Sequence, residues 1–284
     1  MGILFIQFID SFTLYSQLVE GGLDKETAKI VKGVYDRGLP LIQLGTVVGT
    51  AFSLSLVPVI SSAVLKKDEC VLREKTELSI RLSFVIGTGA VLGLNGLMHS
   101  VNILLYGDAA GTDMLKIFCM TILFTTIAAT TAAILQGMGH AKISALTMVI
   151  GMMVKWGLNI WLIPFWGTTG AAVSSVTSFA FVSGINSLYL YREGRLPVIQ
   201  RKTLQVTLKA GIAMVLLLFV YTQALHWMSP PSSERSLQTV WEALSGVVVG
   251  GIIYIRLVLR NGLFTRQEVL NIPYGDKLSK WIEP

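Results

Sequence analysis

The sequence predicts an all-α protein, a polytopic transmembrane helical bundle of about eight spans. Three observations carry this. The 284 residues are 52% hydrophobic and only 14% charged, with a mean hydropathy of +0.64, whereas about a quarter of residues in soluble domains are charged. The apolar runs reach the roughly twenty residues a helix needs to cross a bilayer, too long for barrel strands. Small residues, Gly45, Gly49, Gly87, Gly89, Gly93, Gly246 and Gly250 among them, recur at spacings that let helices approach closely.

Taken in order, residues 3–18 form a first span inside the segment 1–18, with Asp10 near its middle. Its abrupt start leads to the expectation that part of the helix, or of the protein, lies upstream. Residues 19–37 are polar and amphipathic, suited to the membrane surface. Spans two to six fill 38–191: 38–65, 78–105, 114–135, 143–163 and 171–191. The stretch 66–75, KKDECVLREK, reads as a solvated loop or helix extension. The six residues Phe165 to Gly170 read as a turn. A basic loop occupies 192–203, the last helix pair 204–259 (204–227 and 240–259), and a polar tail 260–284.

Charge sets orientation. If both ends face the cytoplasm, 13 Lys and Arg lie on that side and five on the other, the bias that cytoplasmic loops carry. The formal charge of +6 is therefore no sign of nucleic acid, and none is expected as a partner. Tyr106, Trp161, Phe165, Trp166, Tyr191 and Trp227 fall mostly at span ends, as an interfacial belt requires.

Catalytic chemistry has no foothold. His99, His140 and His226 stand on separate segments, and no HExxH, G-x-S-x-G or P-loop pattern occurs. Cys70 and Cys119 have neither metal-ligand nor disulfide spacing. No enzyme activity, metal or cofactor is expected.

Functional candidates are instead the charges near hydrocarbon, where each costs a few kcal/mol and faces a cavity or a partner. Asp36 and Arg37 stand side by side before twenty uncharged residues, reading as an ion pair at the mouth of the second span. Either they mark the water boundary, with the arginine snorkelling, or Arg37 contacts substrate. Asp10 and Lys155, midway along the first and fifth spans, are opposite charges at matching depth, and together they satisfy one another. Asn159, four residues after Lys155, shares its helical face. This polar group either fixes helix register or takes part in coupling. Gln7, Gln43, Asn95, Asn102 and Gln136 read as hydrogen bonds across helix interfaces.

The runs IDSFTLYSQL, GVYDRGLPLIQLGT, ILQGMG and above all LNIWLIPFWGTTGAAVSSVTSF at 158–179 resemble the polysaccharide exporters of the MOP (multidrug, oligosaccharidyl-lipid, polysaccharide) superfamily, in particular its stage V sporulation protein B-like and MurJ-like flippases. That resemblance implies the C-terminal lobe of a 14-helix flippase. Its partners would be a polyprenyl-pyrophosphate-linked saccharide, membrane lipids and a missing N-terminal lobe, in the bacterial plasma membrane. It implies a cavity position for Arg37, facing a pyrophosphate or a sugar acid, with Asp36 beside it. Pro40 stands where lipid II flippases have the Glu of Asp-Arg-x-x-Glu. A drug exporter of the same superfamily is a rival reading, although such exporters bind cations with carboxylates and an arginine favours an anion. A non-transporting scaffold or truncated remnant is another.

Overall fold

A computed structural model describes residues 2–194, 200–228, 237–266 and 268. Arg195 of the basic loop, the Pro230-Pro231 turn and the tail beyond 268 lie outside the described residues. Among those described, the chain is helical throughout: α1 (Gly2–Glu20), α2 (Lys25–Asp36), α3 (Gly38–Leu65), α4 (Glu69–Tyr106), α5 (Thr112–Cys119), α6 (Thr121–Gly137), α7 (Ala141–Arg192), α8 (Arg201–Met228) and α9 (Leu237–Arg260). Among the described residues, six helical stretches are long and apolar enough to cross a membrane: Lys25–Leu65, Glu69–Tyr106, Thr112–Gly137, Ala141–Arg192, Arg201–Leu225 and Thr239–Arg260.

Several boundaries differ from the sequence reading. The polar segment before the second span is a full helix, capped by the Asp24 carboxylate on the amides of Glu26 and Thr27. Only Arg37, itself in a helical conformation, separates it from α3. Of the two readings of 66–75, loop or helix extension, residues 69–75 take the second: they are the first turns of α4, which at 38 residues is about 57 Å long and outruns a hydrocarbon core of about 30 Å.

The largest difference is at α7, assigned as one helix of 52 residues. A straight helix would hold Thr147 and Asn186 about 58 Å apart, yet the Thr147 hydroxyl donates to Asn186 Oδ1 at 2.7 Å. Gly151 packs on Val182 in the same register, and the Tyr189 hydroxyl reaches His140 Nδ1 at 2.9 Å. α7 is therefore an antiparallel hairpin of two arms, 141–166 and 168–192, matching the fifth and sixth spans. Its tip is a single residue, Gly167, at φ 55° and ψ −134°, a backbone conformation essentially confined to glycine. Trp161, Phe165 and Trp166, toward the tip, are all exposed, as an aromatic belt needs.

The chain forms two compact units. The first holds α1–α3, the start of α4, α5, α6 and both arms of α7. There α3 and α6 run parallel. Gly49 meets Thr126 so closely that a Cβ would collide with it, and one turn on, the Ser53 and Ser83 hydroxyls both bond Thr130, at 2.7 and 2.5 Å. Apolar clusters flank this seam: Leu56, Ile60, Ala63 and Leu72, then Ile80, Ile134, Leu135 and Leu190. The second unit joins the later part of α4 to α8 and α9. Leu97 of α4 packs on Gly246 and Leu218 of α8 on Gly250.

Outward faces are apolar. Leu44, Val48 and Leu54 on α3, Met153 and Trp156 on α7, Leu216 and Phe219 on α8, and Val247 and Val248 on α9 are exposed. Apolar surface of that extent belongs against lipid rather than water.

Candidate functional site

In the first unit, three segments converge on one buried polar centre. α1 presents a buried stripe of Ile9, Asp10, Thr13, Leu14 and Leu18, spaced for one helical face. Its carboxylate is the only charge on that stripe. Lys155 and Asn159 sit one turn apart on the first arm of α7, and Ser174 and Ser175 face them from the second arm. Tyr35 enters from the last turn of α2, fully buried, its ring stacked on Phe118 of α5 at a centroid distance of 4.6 Å.

The hydrogen bonds close on themselves. Asp10 Oδ1 accepts from Lys155 Nζ at 2.5 Å and from Asn159 Nδ2 at 3.0 Å, while Oδ2 accepts from the Tyr35 hydroxyl at 2.7 Å. Lys155 also donates to Ser175 Oγ at 2.9 Å, and Tyr35 Oη lies 3.3 Å from the same hydroxyl. Asn159 donates to Thr13 Oγ1 at 2.8 Å and its own carbonyl accepts from Ser174. Asp10, Lys155 and Asn159 are 3%, 2% and 0% exposed. A charge so deeply buried costs several kcal/mol alone, which only a well-placed partner offsets.

Both faces of the carboxylate are met by donors, so the centre carries its own counter-cation in the Lys155 ammonium. Among the described residues, no group of three or more His, Cys, Asp or Glu could hold a metal ion. Beside Lys155, a cavity of about 20 Å³ is lined by Ile9, Gly151, Ser178 and Val182 among others, enough for one water.

Asp36 and Arg37 behave differently from the mouth ion pair the sequence led us to expect. Asp36 Oδ2 accepts from Lys32 Nζ at 2.8 Å, one turn back on α2. Adjacent helical residues point away from one another while i and i+4 meet, so the lysine takes the carboxylate. Arg37 is half-buried at the α2–α3 joint, two residues beyond Tyr35. Gly38 follows, where a Cβ would collide with the Phe118 ring. Phe118 is thus a shared plate beneath the joint and beneath Tyr35.

Tyr35, Ser174, Ser175 and Thr13 were absent from the sequence-derived site. The serines stand within the GAAVSS motif and Tyr35 directly before Asp36, but their convergence needs the α7 hairpin and the α2 turn. Gln7 and Gln43, expected to bond across helix interfaces, are exposed instead. In the second unit, the last helix pair carries a buried acidic residue. Glu242 of α9 is 2% exposed and accepts from Ser100 of α4 at 2.8 Å.

No model of a protein family matches the chain. It is 40% identical over 280 residues to the uncharacterized membrane protein YabM of Bacillus subtilis (strain 168), covering 99% of this chain and 52% of that protein. Lipid II flippase MurJ of the same strain is 21% identical over 91% of this chain and 48% of its own length. Stage V sporulation protein B of that strain is 25% identical over 84% and 45%. Among solved structures, lipid II flippase MurJ in an inward closed conformation matches with a TM-score of 0.56 at 13% identity, over 78% of this chain and 46% of that one. The chain thus spans about half the length of the curated relatives it matches, and it shares the fold of MurJ.

Proposed function

We propose that the chain is half of a flippase that carries a polyprenyl-pyrophosphate-linked saccharide across the bacterial plasma membrane for cell-envelope synthesis. It would work without a catalytic step, with both its ends in the cytoplasm. The similarity to MurJ and stage V sporulation protein B supports the class of cargo. The observation that carries the reading is an arginine at a helix joint, two residues from a tyrosine bonded to a buried Asp–Lys pair. A permanently charged guanidinium at the edge of hydrocarbon suits a pyrophosphate, which it engages in bidentate fashion. Asp36, held by Lys32, keeps the local charge from growing. The Asp10–Lys155–Asn159 group is the coupling element of this reading.

A second reading rests on length. Alternating access moves two halves around a site between them, and this chain covers about half of its relatives. On that reading it works only together with a complementary half, or not as a transporter.

Proteoliposomes bearing the chain, alone and with a MurJ-type N-terminal half, separate the two when translocation of a labelled polyprenyl-pyrophosphate disaccharide is followed. Transport that falls at least tenfold in Arg37→Ala supports the first. Transport untouched by that change removes Arg37 from the site. Failure in both preparations favours the non-transporting reading.

A further inference from the structure

We infer that the α8–α9 pair binds the headgroup of an anionic phospholipid, with Lys209 and Arg256 as its phosphate contacts. The site lies wholly in the second unit and does not depend on the chain carrying a saccharide.

The register of the pair is fixed at both ends. Lys202 Nζ, at the start of α8, donates to the Gly262 carbonyl at 3.0 Å, and toward the other end the Tyr221 hydroxyl lies 2.7 Å from Ser245 Oγ. Between these pairings the antiparallel helices set Lys209 level with Arg256. Lys209 follows the first residue of α8 by eight positions and Arg256 precedes the last of α9 by four, so they lie about 12 Å and about 6 Å inside the helix ends. Arg201, Lys202 and Arg260 suffice to mark the water boundary. Lys209 and Arg256 stand further in, among apolar residues, and both are exposed.

On each helix one exposed stripe continues from the charge into the hydrocarbon. On α8 it passes from Lys209 to Ile212 and Leu216, on α9 from Arg256 to Ile252 and Val248, in the steps of three and four residues that keep to one helical face. Cations at one depth with aliphatic side chains beneath them match a phospholipid, phosphate above and acyl chains below. A lysine or arginine at this depth lays its methylenes along lipid and carries its charge to the nearest phosphate. Two such charges on neighbouring helices favour a headgroup with net negative charge over a zwitterionic one.

Among the described residues, the carboxylates of this unit stand elsewhere or are engaged. α8 contains no Asp or Glu. The one acid of α9, Glu242, accepts from Ser100 and is about 21 Å from Arg256 along the axis. Glu268, past the end of α9, accepts from the Thr265 amide at 2.7 Å.

Native mass spectrometry of the purified, delipidated chain in detergent counts bound lipid directly. The chain is titrated with phosphatidylglycerol, phosphatidylethanolamine and phosphatidylcholine of matched acyl chains. The expected result is one phosphatidylglycerol held about tenfold or more tighter than either zwitterionic lipid, with that preference lost in the double variant Lys209→Gln, Arg256→Gln. The charge-keeping exchange Lys209→Arg, Arg256→Lys should retain it. Lys66→Gln, Arg73→Gln removes two exposed cations at the α3–α4 connection and should retain it too. Equal losses in the two glutamine variants would reveal diffuse attraction to net charge and overturn the inference, as would a wild type without preference. A competition arm separates the two sources of lipid phosphate. Phosphatidylglycerol that stays bound beside equimolar polyprenyl pyrophosphate supports a bilayer lipid as the occupant. Its displacement assigns the two cations to a polyprenyl carrier and overturns the inference. Transport is read in none of these arms, so the functional proposal stands or falls separately.

Discussion

At the scale of single residues, the buried pair makes an asymmetric prediction. Asp10→Asn or Lys155→Met alone strands its partner's charge in a site where both are at most 3% exposed, and each should destabilise by about 3–5 kcal/mol. The double replacement removes both charges and should recover most of that loss. Unfolding of the three variants in detergent forms a double-mutant cycle. A double variant as unstable as the sum of the singles would show that the two groups do not act as a pair. Asp24 makes a second prediction, this time at the surface. Its carboxylate accepts from the Thr27 and Glu26 amides, and bonding to Thr27 holds it below its ordinary 3.8. Such a group stabilises the folded helix above the ordinary value, and its contribution is lost as the pH falls through the lowered one. Hydrogen exchange at the Glu26 and Thr27 amides should therefore quicken below pH 4, and no longer respond in Asp24→Asn.

At the scale of elements, the α7 hairpin is the piece on which the site depends, since it brings Lys155 and Asn159 opposite Ser174 and Ser175. Its tip rests on one glycine at φ 55° and ψ −134°. Gly167→Ala should cost about 1–3 kcal/mol, the strain of a conformation that a Cβ resists. The contrast is Gly184, mid-helix on the second arm with open space where a Cβ would go, where alanine should be neutral or stabilise by up to about 1 kcal/mol. Thermal unfolding of the two variants side by side checks this, and equal melting temperatures would contradict a strained tip. The same element shows how periodicity both helps and misleads. Apolar runs closed at Pro164 and resumed at Ala171 read as two spans, with the six residues Phe165 to Gly170 between them as a turn. Five of those six, Phe165, Trp166, Thr168, Thr169 and Gly170, in fact remain helical, because a single glycine, Gly167, reverses the chain.

At the scale of the whole molecule, the orientation proposed from the Lys and Arg bias is testable with the chain's own thiols. Cys70, on the first turn of α4, is exposed, while Cys119 is buried. With both ends cytoplasmic, a membrane-impermeant maleimide should label Cys70 in inside-out vesicles and leave it unlabelled in intact spheroplasts, with Cys119 silent in both. The reverse pattern would invert the topology.

What the sequence determined by itself was class and inventory. Composition and run length alone require membrane helices, because unpaired backbone groups have no partner in hydrocarbon. Asp10, Lys155 and Asn159 were legible as a group, since charges are so rare in such runs that those present must be answered by one another. Tertiary structure decided the rest. Asp36 turned to Lys32 instead of Arg37 because helical geometry joins residues four apart. Tyr35 became a donor to Asp10 only once α2 was a complete helix ending against Phe118. A tyrosine or serine costs little to leave unassigned in a sequence. Its importance here arises from a buried carboxylate that needs every donor the fold can bring to it, and only the hairpin of α7 and the end of α2 bring them.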